Sequence, residues 1–149
     1  MQIEQTLIIL KPGCLQRGIA GEIISRFEKK GLKITAMKLA LINRDKAAFH
    51  YEEHKDKPFF TGLVDYITSS PVVLMVIEGE NAVSIARKMA GATNVDDAVP
   101  GTIRGDYVSH TPKNIVHTSD GKESAEREIK NFFNDSEIIN YNRDIDKWI

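Results

Sequence analysis

One cysteine, one tryptophan and five prolines in 149 residues leave this chain without several features that mark the chemistry of small proteins. The lone Cys14 excludes an internal disulfide framework and any multi-cysteine zinc site, and is compatible with a reducing compartment. Charge of one sign is also missing: 20 Lys+Arg against 21 Asp+Glu give a net −1, which argues against a protein that coats nucleic acid through bulk positive charge. No long hydrophobic run exists. The longest, Val72–Ile77, falls far short of the roughly 20 residues of a membrane span. The start, Met1-Gln2-Ile3-Glu4, has no basic segment leading into an apolar one, so no signal peptide is expected. No internal repeat or Pro/Gly/Ser-rich linker is present, and neither G-x-x-x-x-G-K-[ST] nor G-x-G-x-x-G occurs, so Walker-type and Rossmann phosphate binding lack support. These absences predict one soluble, cytoplasmic domain over residues 1–149 with no membrane partner.

Hydrophobic patterning supplies the elements. Thr6–Leu10 reads as a buried strand stopped by Lys11-Pro12-Gly13. Ile19, Ile23, Ile24 and Phe27 recur at helical spacing before Gly31, a helix terminator. Leu32–Ile42 suggests a second strand, and Asp45–Glu53 a short helix with a thin apolar face. Pro58 opens another helix with Phe59, Phe60, Leu63, Val64 and Ile67 on its face. Val72–Glu78 is the clearest buried strand, and Asn81–Ala90 is helical up to Gly91. From Gly91 to Lys113 little periodicity exists, and loops of that length inside a domain are often functional. Asn114–Thr118 is a fourth strand. Asp120 and Glu123 have the spacing of a capping box for a last helix with Ala125, Ile129, Phe132 and Phe133 inward. The mixed tail from Glu137 to Ile149 is expected to pack on something. The order predicts an α+β fold: a ferredoxin-like split βαβ arrangement, a four-stranded antiparallel sheet with helices on one face and a long loop before the last strand. A doubly wound parallel sheet is the competing topology.

Chemistry-bearing residues fall at element ends: Lys11, Arg17, Arg87, Thr93, Arg104, Asn114, His117 and Ser119. In a chain of net charge −1, a few convergent cations suit a compact anion such as a polyphosphate. His50 and His54, four apart, read as a solvated helix face because no third metal ligand is close in sequence.

Asn114-Ile115-Val116-His117-Thr118-Ser119-Asp120 closely resembles the active-site signature of nucleoside diphosphate kinases, usually Asn-x-x-His-Gly-Ser-Asp. Leu10-Lys11-Pro12 with Gln16-Arg17-Gly18, Pro58-Phe59-Phe60, Pro71-Val72-Val73, Pro100 to Asp106, and Glu123 to Glu126 with Glu128 also match that family in order and spacing. The resemblance implies transfer of the terminal phosphate of a nucleoside triphosphate, mainly ATP, to nucleoside diphosphates by a ping-pong route through a phosphohistidine. His117 then matches the nucleophile and Glu128 the carboxylate that orients its imidazole. Ser119 matches a hydroxyl supporting the glutamate, and Tyr51 a phenol beside the histidine. Lys11, Arg87, Thr93 and Arg104 match the phosphate-holding groups, Asn114 a ribose contact and Phe59 the ring that stacks on the base. Leu63 and Thr111 complete the implied nucleotide site. Stacking accepts any base, so broad base and sugar tolerance follows. Mg2+ is implied as arriving with the nucleotide, without direct protein ligands; Asp120 is placed either to reach it through water or to cap the last helix.

Four departures from the family pattern stand out. Gly13-Cys14 occupies the place of Asp-Gly after Lys-Pro, which removes an acidic neighbour of Lys11. Thr118 replaces glycine and is strained if its φ must be positive. Thr111 replaces an apolar residue, and Val95 replaces a loop proline. They motivate an alternative, a catalytically weak nucleotide-binding or regulatory relative. A nucleic-acid-binding module is disfavoured by the neutral charge. The resemblance also implies a homo-oligomer, a hexamer in preference to a tetramer.

Overall fold

The structure, a computed structural model, describes residues 2–149. In chain order it contains β1 (Ile3–Leu10), α1 (Ala20–Lys29), β2 (Lys33–Ala40), α2 (Arg44–His50), α3 (Phe60–Ile67), β3 (Val72–Glu80), α4 (Ala82–Ala90), α5 (Ile103–Tyr107), β4 (Val116–Thr118) and α6 (Lys122–Phe132). The sheet runs β2-β3-β1-β4 and every neighbouring pair is antiparallel. The split arrangement is therefore the observed one, and the parallel alternative is excluded.

Helices cover both faces of the sheet, not one as expected. On one face Ile8, Leu10, Val73, Met75 and Ile77 pack with Ile23 and Phe27 of α1 and Ala82, Ala86 and Ala90 of α4. On the other, Leu7, Ile9, Val72, Leu74 and Val76 meet Ala47, Val64, Ile67, Ile129 and Phe132 from α2, α3 and α6. Two-sided burial explains why the central strands β1 and β3 read as unbroken apolar runs without alternation. Gly31 ends α1 with a φ of +99°, as its position predicted. Among the described residues, no helix is long and apolar enough to cross a membrane.

The stretch from Gly91 to Lys113 is not free of elements: it contains α5 and 3-10 turns at Val95–Asp97 and Thr111–Lys113. Helix α5 is only five residues and is started by Thr102, whose hydroxyl accepts from the Gly105 N–H. A Cβ on Gly105 would lie 1.9 Å from the Val99 carbonyl oxygen. Gly105→Ala is expected to destabilise the fold by about 3 kcal/mol, because backbone must move to admit it. A fall in Tm checks this; an unchanged Tm contradicts the packing of α5 against Val99.

The expected capping box is absent. Gly121 is the residue before α6 and makes no side-chain cap. The Asp120 carboxylate instead pairs with the Arg87 guanidinium, a charge-assisted bond stronger than one to a neutral backbone N–H. The tail packs along its own sheet edge. The Ile139 N–H donates to the Thr35 carbonyl, Lys33 Nζ reaches the Tyr141 carbonyl at 2.6 Å, and Arg143 bonds the Gly31 carbonyl. Trp148 stays 78% exposed.

Candidate active site

Beside β4, at the end where β1 stops, the helix-connecting segments leave a cleft of about 380 Å3. Its wall includes Lys11 from the end of β1, His117 from β4, Arg87 from α4, Arg104 from α5, and Thr93, Asn114 and Asp120 from loops. Tyr51, His54 and Phe59, from the segment joining α2 and α3, and Leu63 of α3 complete the lining. Ten residues expected at the site thus meet around one cavity. Ser119 and Glu128 lie directly behind His117.

The histidine is held by a short relay. Its Nε2 lies 2.8 Å from Glu128 Oε1, and since an ionised carboxylate only accepts, Nε2 carries the proton and Nδ1 keeps its lone pair. Ser119 Oγ donates to the same Oε1 at 2.7 Å, while its own oxygen accepts the Leu7 N–H at 3.3 Å. The strand N–H therefore fixes the serine hydroxyl, which helps fix the glutamate. Two donors converging on Oε1 favour the ionised carboxylate, against burial, which raises the Glu128 pKa. Burial, then the Lys11 cation, push His117 down to about 3, with Arg104 and Arg87 adding to the shift, so the imidazole is neutral at pH 7.

Cations share the cleft wall with the histidine. Lys11 Nζ donates to Asn114 Oδ1 at 2.9 Å, which supplies the positioning that the missing acidic neighbour leaves open. Burial and the nearby Arg104 charge lower its pKa to about 7. Arg104 donates to the Gly91 and Val116 carbonyls, each at 2.7 Å, and among the described residues its buried Nε has no partner. The buried Tyr51 hydroxyl is likewise unpartnered. Unmatched polar atoms around a cationic cleft suit a polar, anionic ligand. Phe59 is half exposed at the mouth, whereas Phe60 packs on the second core, so the ring free to stack is the one expected.

The backbone before the histidine is strained. Ile115 has a φ of +55°, unusual for a β-branched residue, and the Val116 N–H bonds the Asn114 carbonyl at 2.7 Å across it. Its own carbonyl accepts from the Lys11 N–H at 2.7 Å and the Cys14 thiol at 3.2 Å. The turn fixes Asn114 and His117 on either side of the strained residue.

Several expectations change. Thr118 lies in β4, where a β-branched residue belongs, and no positive φ strains it. Thr111 is outside the cleft wall: its hydroxyl accepts the Val95 N–H at 3.1 Å. A proline at position 95 has no N–H to donate, so the Thr111 and Val95 departures act together as one latch across the loop. Cys14 is fully buried, and burial raises its thiol to about 11, an inert state. His50 and His54 do not form a solvated face. His54 lines the cleft, while His50 is buried with its ring 4.5 Å from that of His117. Nothing in sequence spacing pointed to His50, because its partner is 67 residues away.

Similarity to known proteins agrees with this geometry. Residues 4–138 match the family model for nucleoside diphosphate kinase. A nucleoside diphosphate kinase of Pyrococcus horikoshii is 58% identical over 97% of this chain and 94% of its own length. That of Archaeoglobus fulgidus is 54% identical over 99% and 97%. Among solved structures, a halophilic nucleoside diphosphate kinase from Halobacterium salinarum in complex with CDP superposes with a TM-score of 0.96 at 46% identity, covering 99% of this chain and 98% of that one. A transition-state mimic of the Borrelia burgdorferi enzyme with bound vanadate and ADP gives 0.91 at 37% identity, covering 96% and 94%. By whole-length sequence similarity and by fold, the chain belongs to the nucleoside diphosphate kinase family and transfers phosphate between nucleotides.

Proposed function

We propose that residues 1–149 act as one catalytic unit in which His117 Nδ1 attacks the terminal phosphorus of a bound nucleoside triphosphate. The observation that carries this reading is the occupied Nε2: with Glu128 holding that nitrogen, Nδ1 is the one left to react. As the N–P bond forms, the bond from phosphorus to the bridging oxygen breaks, and the nucleoside diphosphate leaves. Positive charge developing on the ring is stabilised by the Glu128 carboxylate. A second nucleoside diphosphate then takes the phosphate by the reverse path. Lys11, Arg87, Thr93 and Arg104 place positive charge and donors around the transferred oxygens, Asn114 and Lys11 meet the sugar, and Phe59 with Leu63 holds the base. Tyr51 presents its unpartnered hydroxyl beside the reacting centre. The arrangement favours transfer over a merely regulatory role, because the nucleophile and the cations line one cavity while the orienting acid holds the histidine from behind.

Mg2+ fits as a companion of the nucleotide. Asp120, exposed at the cleft edge and paired with Arg87, is the carboxylate that would meet it through water. The ion neutralises phosphate charge when bound. For partners, the family resemblance supports a homo-oligomer of six subunits. The exposed Met37 and Leu39 of β2, with Leu41 just beyond it, support burial of that edge by another copy.

Incubation with labelled ATP alone is expected to leave one acid-labile, base-stable phosphate per chain, released by added dTDP as dTTP. Failure to label the protein while transfer proceeds would sink the ping-pong reading. Proton linkage gives a further expected result. The Lys11 cation is present below pH 7 and lost as pH rises through about 7, whereas bound polyphosphate favours the charged form. Nucleotide binding at pH 8 therefore takes up protons, and affinity falls between pH 7 and 9. Calorimetry in two buffers of different ionisation enthalpy measures the uptake; identical heats contradict it.

A further inference from the structure

His50 has no part in the phosphate transfer described above, yet it is buried against the group that performs it. Among the described residues its buried Nδ1 has no hydrogen-bond partner, a costly state for a polar atom. One ligand atom from each of His50, His117 and Glu128 lies within 4.8 Å of the others. Among the described residues both hydrogen bonds to Glu128 fall on Oε1, which leaves Oε2 as an acceptor.

We propose that His50, His117 and Glu128 form an inhibitory site for a divalent transition cation of the zinc type, which silences the enzyme by capping its nucleophile. Two imidazoles and one carboxylate are a donor set suited to zinc, whereas Mg2+ and Ca2+ prefer oxygen ligands. A water molecule would complete the fourth position. Binding requires side-chain rotation that draws the three atoms, now within 4.8 Å of one another, to roughly 2 Å from the ion. Lys11, Arg87 and Arg104 line the same cleft and oppose a cation, so the site answers to a strongly coordinating metal and not to bulk divalent ions.

The proposal rests on Nδ1 as the attacking atom. Metal bound at His117 Nε2 takes the lone pair of that nitrogen, and its proton moves to Nδ1. The ring stays neutral, no net proton leaves it, and the nucleophilic lone pair is gone.

Titration of the free protein with Zn2+ in buffer without phosphate or nucleotide is expected to show one site, and Co2+ in its place to give the visible bands of four-coordinate cobalt. His50→Gln and His50→Phe, the second of which keeps a ring against His117, should each weaken that binding at least tenfold. His110→Gln, an exposed histidine elsewhere, should leave it unchanged. After unbound zinc is removed, labelling by ATP should be blocked in the wild type and spared in the His50 variants. Equal zinc affinity in wild type and both His50 variants, or six-coordinate cobalt, would overturn the site. Four-coordinate cobalt with undiminished labelling would overturn the capping of the nucleophile. Absence of labelling in metal-free wild type would count against the role of His117, while the cobalt bands still report on the site.

Discussion

His117→Ala is expected to lower phosphate transfer by about 10⁵-fold or more, the scale of losing a nucleophile for which no neighbour substitutes. Lys11, Arg87, Thr93 and Arg104 all remain in the cleft of the variant. Nucleotide affinity, measured by calorimetry, should therefore stay within a few-fold of the wild type (about 1 kcal/mol). The combination is diagnostic: binding kept, labelling by ATP abolished. His50 is no replacement, since it lies buried behind His117 and away from the cleft wall. Residual labelling of the variant would mean that another group accepts the phosphate.

The second large effect belongs to Arg104. Its guanidinium ties the Gly91 carbonyl at the end of α4 to the Val116 carbonyl of β4. Arg104→Ala leaves both acceptors unmatched, at about 1–3 kcal/mol each, and removes a cation from the cleft that His117 lines. A measurable fall in Tm is expected together with a drop in kcat of about 10²–10³-fold, typical for loss of one donor to a developing anion. Arg104→Lys should recover little, because a single ammonium cannot span two carbonyls as a planar fork does. A lowered Tm with kcat near that of the wild type would leave Arg104 only a structural tie.

How much of this was legible in the sequence depended on the range of each interaction. The runs in β1 and β3 announced buried strands, because two-sided burial demands apolar residues at every position. They also held the clue that both sheet faces are covered, which the expected one-faced sheet overlooked. Helix α5 was illegible: five residues give barely more than one turn, and Gly105 within it reads as a loop residue although close approach to Val99 demands it. The site was legible through its resemblance to a family and only faintly through spacing. Lys11 and Asn114 meet across 103 residues, and His117 and Glu128 come from separate elements. Asp120 had the spacing of a cap, but the Arg87 charge outweighs a local backbone bond. His50 gave no local signal at all. The thin apolar face of α2 is the trace it left, since a buried histidine takes a place that an aliphatic residue would otherwise hold.

The central claim is that His117 reacts through Nδ1 because Glu128 holds Nε2. Its most direct test is the positional isomer of the phosphohistidine in the isolated phosphoenzyme, read from proton–phosphorus couplings by NMR. Phosphate is expected on Nδ1 of His117 alone; phosphate on Nε2, or on any other residue, would contradict attack through Nδ1.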